Sequence, residues 1–216
     1  MRHGQTGSNV AGALDTAAPG AVLTELGLRQ AEAAVPHLVR RGVAAAYSSH
    51  LTRARQTVAA LAEQLGSDPQ VHHGFAEIAA GELEMRTDPD SVRGYAHTVL
   101  TWLTGDLDLR MPGGESGHEF LSRYDEAVVH VTERAREHGH PAAVVVSHGA
   151  AIGTWVARRA TNLHAWRDAG RLRNTGIVAL DLTASGWAVA EWVPHPLGGP
   201  EYDAPDPYSP TAGRVT

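Results

Sequence analysis

"PAAVVVSHGAAIGTWVARRA", residues 141–160, passes from a continuous apolar run through Ser147, His148 and Gly149 into a segment with helical spacing. A short apolar run next to a proline reads as a strand buried on both faces, with a helix behind it. Earlier, "VAAAYSS" (43–49) leads in the same way into "LTRARQTVAALAEQLG" (51–66), a helix closed by Gly66. Strand-to-helix junctions repeated along a chain predict an α/β fold, a three-layer sandwich whose mainly parallel central sheet has helices on both faces. Ligands of such sheets bind beyond the carboxyl ends of the strands, where helix N-termini offer backbone N–H groups to an anion. Both junctions fall there.

The remaining segments fit this frame. "LTELGLRQAEAAVPHLVRRG" (23–42) predicts a helix capped by Thr24, with Pro36 as the place for a bend and Gly42 past its end. "GELEMRTDPDSVRGYAHTVLTWLTGD" (81–106) holds one or two helices, "RMPGGESG" (110–117) is a loop, and "EFLSRYDEAVVHVTERAREHG" (119–139) is an amphipathic helix. "GIVALDLTASGWAVAEW" (176–192) alternates as a hairpin turning near Ser185 and Gly186. "PHPLGGPEYDAPDPYSPTAG" (194–213) carries six of the 12 prolines, so residues 194–216 are expected to be an irregular or disordered tail behind a single domain of residues 1–193.

Composition narrows the function. The chain has 216 residues, 43% hydrophobic and 19% charged, which suits one globular domain. No run approaches the roughly 18 apolar residues of a membrane span and no signal-peptide pattern opens the chain, so no membrane partner and a cytoplasmic location are expected. The absence of cysteine excludes disulfides, thiolate catalysis and Cys-ligated zinc. A net charge of -6 argues against nucleic acid as a partner and requires any anion site to be local. There are 13 histidines, but neither His72 with His73 nor His138 with His140 has the i, i+4 spacing that sets two rings on one helix face, so no metal site is expected.

Three short pieces stand at strand ends: "RHG" (2–4), "SSHLTRARQT" (48–57) and "SHG" (147–149). Each alone is a weak signal; the set in this order resembles the histidine phosphatase superfamily, the phosphoglycerate mutase-like proteins. The first motif, R-H-G-[EQ]-[ST]-x-x-N, is matched by Arg2, His3, Gly4, Gln5, Thr6 and Asn9. The likeness continues through "LTELGLRQA", Arg53, Glu77 in "AEIAAGELE", "GGES" (113–116) and His148 in "VVVSHGAAI", to about residue 193. It implies His3 as the nucleophile that carries the phosphoryl group, with no metal and no cofactor. Arg2, Arg53, Asn9, a protonated His148 and Gly149 would form the phosphate pocket. Glu77, its pKa raised by burial near other acids, would protonate the leaving alcohol and then activate water.

Three departures from the pattern matter. The family sets a buried strand before R-H-G, whereas only Met1 precedes it here; with that central strand cut short, His3 is expected to be poorly placed. "GELEM" replaces an aromatic-Glu-Gly run, so Leu83 and Met85 are expected on an apolar pocket wall. "VAGALDTAAPGAV" (10–22), read as small and neutral, lacks the arginine of the longer insertion found in mutases, which favours hydrolysis. The expected activity is therefore that of a phosphomonoesterase acting on a small phosphorylated metabolite. The alternatives are a mutase primed by 2,3-bisphosphoglycerate and a non-catalytic member that only binds. Arg86, Arg93 and Arg110 are candidates for holding a substrate carboxylate, and the hairpin 176–192 for pairing a homodimer at a sheet edge.

Overall fold

Val43–Ser48, named β1, runs parallel to Ala142–Val146, named β3, with Ala46 opposite Val144 and Ser48 opposite Val146 in a computed structural model that describes residues 1–166 and 169–204. The two-residue strand β2, Gln70–Val71, pairs with the other edge of β1, giving the order β2-β1-β3. Alternate side chains leave opposite faces of this sheet. Ala45 and Tyr47 pack with Phe75, Trp102, Phe120 and Trp155 on one side, while Ala46, Val144 and Val146 pack with Leu38, Val58 and Leu61 on the other.

The second cluster belongs to α2 (Glu25–Arg40) and α3 (Thr52–Leu65). Gly27, Gln30, Ala31, Ala34 and Leu38 recur at helical spacing and are buried. The Thr24 side chain caps α2 by accepting from Gly27 N, and the helix continues through Pro36, which stands on the exposed side. Opposite lie α4 (Pro89–Thr104), the single α-helix of the 81–106 segment, then α5 (Gly117–Glu137) and α6 (Gly149–Arg159). A reciprocal cap between Ser116 and Glu119 starts α5 two residues before the predicted segment. Strands β4 (Ile177–Thr183) and β5 (Gly186–Val193) form the expected antiparallel hairpin. Among the described residues no helix is long and apolar enough to cross a membrane.

Two expectations are corrected. Residues 1–3 are firmly held: Ser147 N donates to Met1 O, His3 N to Ser147 O and Arg2 N to Gly176 O, so this short segment bridges β3 and the approach to β4. His3 is thus fixed on both sides by backbone bonds and is not poorly placed. The segment after residue 193 is irregular as expected but is packed, not disordered, along its described length. Leu197 is 6% exposed in the α2/α3 core, Gln30 Nε2 donates to Tyr202 O, and Arg173 pairs with Asp203. Its proline-rich composition hid one apolar anchor and a row of backbone acceptors. The rest of the predicted tail, residues 205–216, lies outside the described residues.

Candidate active site

The carboxyl ends of β1 and β3 and the 1–3 segment open onto a narrow cleft, lined among others by Arg2, His3, Asn9, Arg53, Glu77 and Gly149. Six of the seven residues assigned from the sequence therefore meet in one place. His3 is 3% exposed, and its Nδ1 lies 2.7 Å from Gly4 O. A carbonyl only accepts, so Nδ1 carries the proton and the lone pair belongs to Nε2. Arg53 Nε donates to that Nε2 across 3.2 Å, which agrees with the assignment. Burial, then Arg53, then Arg2 hold the His3 pKa well below the usual histidine range, leaving a neutral imidazole.

Arg53, second residue of α3, is itself 3% exposed. Its remaining nitrogens reach Asp15: NH1 lies 3.4 Å from Oδ1, and NH2 donates to the main-chain oxygen at 2.9 Å. Thr57, one turn along α3, donates to Arg53 O and accepts from Gly4 N, tying the helix to the R-H-G backbone. Arg2 is anchored by NH1 on Leu172 O. The start of α6 at Gly149 lies against that arginine, where an added Cβ would make ordinary contact with Arg2 Nε at 3.4 Å. Asn9 closes the first turn of the short helix α1 (Gly7–Ala11), and its Oδ1 accepts from Thr6 N and Asn174 Nδ2. The amide NH2 is what Asn9 offers the cleft.

Glu77 lies across the N-terminus of α6. Its Oε1 accepts from Ile78 N and Ala151 N, and its Oε2 from Ala150 N. The group at this helix start is thus a carboxyl of the protein itself, which takes up these backbone N–H groups. Burial raises the Glu77 pKa above the ordinary carboxylate value, against the three amide bonds and Arg53, which lower it. Burial alone suffices as the cause; acidic neighbours are not needed.

His148 departs from expectation. It is fully buried behind His3, with ring centroids 5.2 Å apart, and its Nε2 contacts Ser49 Oγ at 2.6 Å. It does not line the cleft among the residues that do. Burial, with Arg53 and His3 next in weight, pushes its pKa well down, so here it is neutral and not the expected cation.

Other expectations also change. Leu83 packs into the core and Met85 is exposed, so the apolar wall is Leu14 with the ring of Tyr95. Arg86, Arg93 and Arg110 are exposed and paired with Asp88, Asp90 and Glu119. The stretch read as neutral contributes Asp15 to the cleft, an acid whose role rests on tertiary contact with Arg53. Asn174 was also missed: its Nδ2 donates to His3 O, and Thr175 beside it takes a left-handed φ of 56°. That conformation is unfavourable for a β-branched residue and is held here by bonds from its N–H to Arg2 and His3 oxygens. The only signal was the Asn-Thr-Gly turn before β4. Among the described residues no group could hold a metal ion; His50 and His73 simply stack at 4.2 Å.

Comparison with known proteins matches residues 1–194 to the model of the histidine phosphatase superfamily, branch 1. The chain is 32% identical over 213 residues to the PE-PGRS family protein PE_PGRS11 of Mycobacterium tuberculosis, with 92% of this chain aligned but only 36% of that protein's length. It is 30% identical over 211 residues to the probable phosphoglycerate mutase GpmB of Escherichia fergusonii, covering 95% of this chain and 94% of the relative. Among solved structures, mycobacterial glucosyl-3-phosphoglycerate phosphatase in complex with VO3 superposes with a TM-score of 0.71 at 27% identity, covering 89% of this chain and 96% of the other. The α-ribazole phosphatase of Shigella flexneri shares the fold, with a TM-score of 0.69 at 22% identity and coverage of 90% and 94%.

Proposed function

The chain belongs to branch 1 of the histidine phosphatase superfamily, and from that premise we propose that it is a phosphomonoesterase working through a phosphohistidine on His3. One observation carries the reading: the His3 Nε2 lone pair, with Nδ1–H fixed on Gly4 O, shares a cleft with an acid whose burial favours its protonated form. Nε2 attacks phosphorus as the ester P–O bond breaks, and Glu77 gives its proton to the departing alkoxide. Arg53 Nε, which here donates to Nε2, turns to a phosphoryl oxygen, while Arg2 and the Asn9 amide hold the others. Glu77, now a carboxylate, takes a proton from water as that water attacks phosphorus. The P–N bond breaks, inorganic phosphate leaves, and His3 and Glu77 return to their starting forms. Neutral His148, hydrogen-bonded to Ser49, supports the His3 ring by packing and is assigned no proton to transfer.

The names of the GpmB relatives favour a second reading, interconversion of phosphoglycerates. The absence of arginine from the 10–22 stretch favours hydrolysis. The test is phosphate release from a panel of small phosphomonoesters by the unaltered protein and by His3→Ala, with acid-labile, alkali-stable phosphohistidine trapped on the chain. Release and trapping that vanish together in His3→Ala are the expected result. Isomerised 3-phosphoglycerate outpacing phosphate release in the presence of 2,3-bisphosphoglycerate would replace the hydrolase with the mutase.

A further inference from the structure

The charge and the donor pattern of the cleft differ between its two ends. Its cations among the described lining residues, Arg2 and Arg53, both lie at His3, and Arg53 touches the reacting nitrogen. Two guanidinium groups balance one phosphoryl group, which carries about -1.5 to -2 near neutral pH. Beyond them the wall presents acceptors. Ser8 gives its hydroxyl proton to Asp15 Oδ2, Thr16 gives its own to Glu84, and Tyr95 gives its own to Ile78 O. With their protons given, the hydroxyls of the lining residues Ser8 and Thr16 have lone pairs left to offer.

Asp15 strengthens this asymmetry. Its side chain is 6% exposed, and Oδ2 is occupied by Ser8 and by Ala21 N. Oδ1 meets Arg53 NH1 at 3.4 Å, longer than the roughly 2.7–2.9 Å of a strong ionic hydrogen bond, so it retains capacity to accept. The arginines that would receive a substrate carboxylate, Arg86, Arg93 and Arg110, are paired on the outer surface and do not line the cleft.

We propose that the alcohol half of the substrate carries no carboxylate or second phosphate, and that it meets this wall with hydroxyl or ammonium donors. A second anionic group would lie against Asp15, whose side chain is 6% exposed and so poorly screened by water, where like charges repel strongly. The specificity-determining residue is Asp15, which rejects acidic alcohols while it holds Arg53. This selectivity rests on the phosphatase reading and narrows its substrate class.

Matched pairs test it: glycerol 3-phosphate against 3-phosphoglycerate, which differ by CH2OH for carboxylate, and phosphoethanolamine against phosphoserine. The carboxylate-free member of each pair should show kcat/KM at least about tenfold higher. Asp15→Asn should narrow both ratios, whatever it does to the absolute rate, because each ratio is read within one protein. Parity or preference for the carboxylates in the unaltered enzyme, or ratios unmoved by Asp15→Asn, would overturn the proposal. If no ester is turned over, p-nitrophenyl phosphate included, the phosphatase reading fails by itself. Calorimetric binding of the same four compounds then decides the charge selectivity: tighter binding of the carboxylate-free members supports it and tighter binding of the acids overturns it.

Discussion

Gly27→Ala separates helix propensity from tertiary contact. In the interior of a helix, alanine is favoured over glycine by about 1 kcal/mol, so secondary structure alone predicts that α2 gains stability. The structure predicts the reverse. A Cβ on Gly27 would lie 2.2 Å from Gln5 O and 3.0 Å from Gln5 N, and a Cβ on Gly4 would meet Gly27 O at 2.6 Å. Ordinary C···O contacts begin near ~3.3 Å, so the two backbones must separate by about 1 Å. Overpacking costs roughly 1–3 kcal/mol, and a clash with main-chain atoms, which cannot swing aside, takes the upper part of that range, about 2–3 kcal/mol, more than propensity returns. With a net loss of about 1–2 kcal/mol, Tm falls by about 2–8 °C for a chain of this size. Gln5 lies two residues from His3, and misplacing a reacting group by about 1 Å costs on the order of 10²-fold in turnover. Gly153→Ala, inside α6 with nothing within 4 Å of the new Cβ, is the control; it should raise Tm by about 1–4 °C and leave turnover alone. Thermal denaturation and phosphate release measured on both variants make the comparison. Normal turnover with an unchanged or raised Tm in Gly27→Ala would refute the reasoning.

Glu77→Gln should slow hydrolysis of alkyl phosphates by about 10²–10⁴-fold while slowing p-nitrophenyl phosphate far less, because p-nitrophenolate departs without a proton; equal losses on both would remove Glu77 from the role of acid. His3 and His148 stay neutral in the folded chain, whereas the unfolded chain takes up their protons as pH falls below about 6.5. Their contribution to stability is therefore present above that pH and declines below it, by up to about 1.4 kcal/mol per pH unit for each ring. Denaturant midpoints at pH 7 and pH 5 read the loss, and Glu77, whose raised pKa acts with the opposite sign above about 4.5, offsets part of it. Leu197→Ala should cost about 2–4 kcal/mol of unfolding free energy, since Leu197 fills the α2/α3 core; a change within error would return residues after 193 to the status of a separate tail.

The sequence by itself determined the elements and the meeting place of the reactive residues. Apolar runs, helical spacing and the capping residues at Thr24 and Gly66 act over a few neighbours, so they could be read locally. The two strand-to-helix junctions put Arg53 and His148 at the same sheet edge, and the R-H-G motif supplied Arg2 and His3. Contacts between distant segments decided the rest. Asp15 looked like a lone charge in a small-residue loop until Arg53 reached it, and Asn174 had no visible role until it met the oxygen of His3. The neutral state of His148 follows from burial and nearby arginines, and the raised pKa of Glu77 from burial working against Arg53, all of which depend on three-dimensional distance. The same holds for the wall of the cleft: a sequence names hydroxyls and carboxylates, but only the folded chain determines where each proton is already given, and so what a ligand must bring.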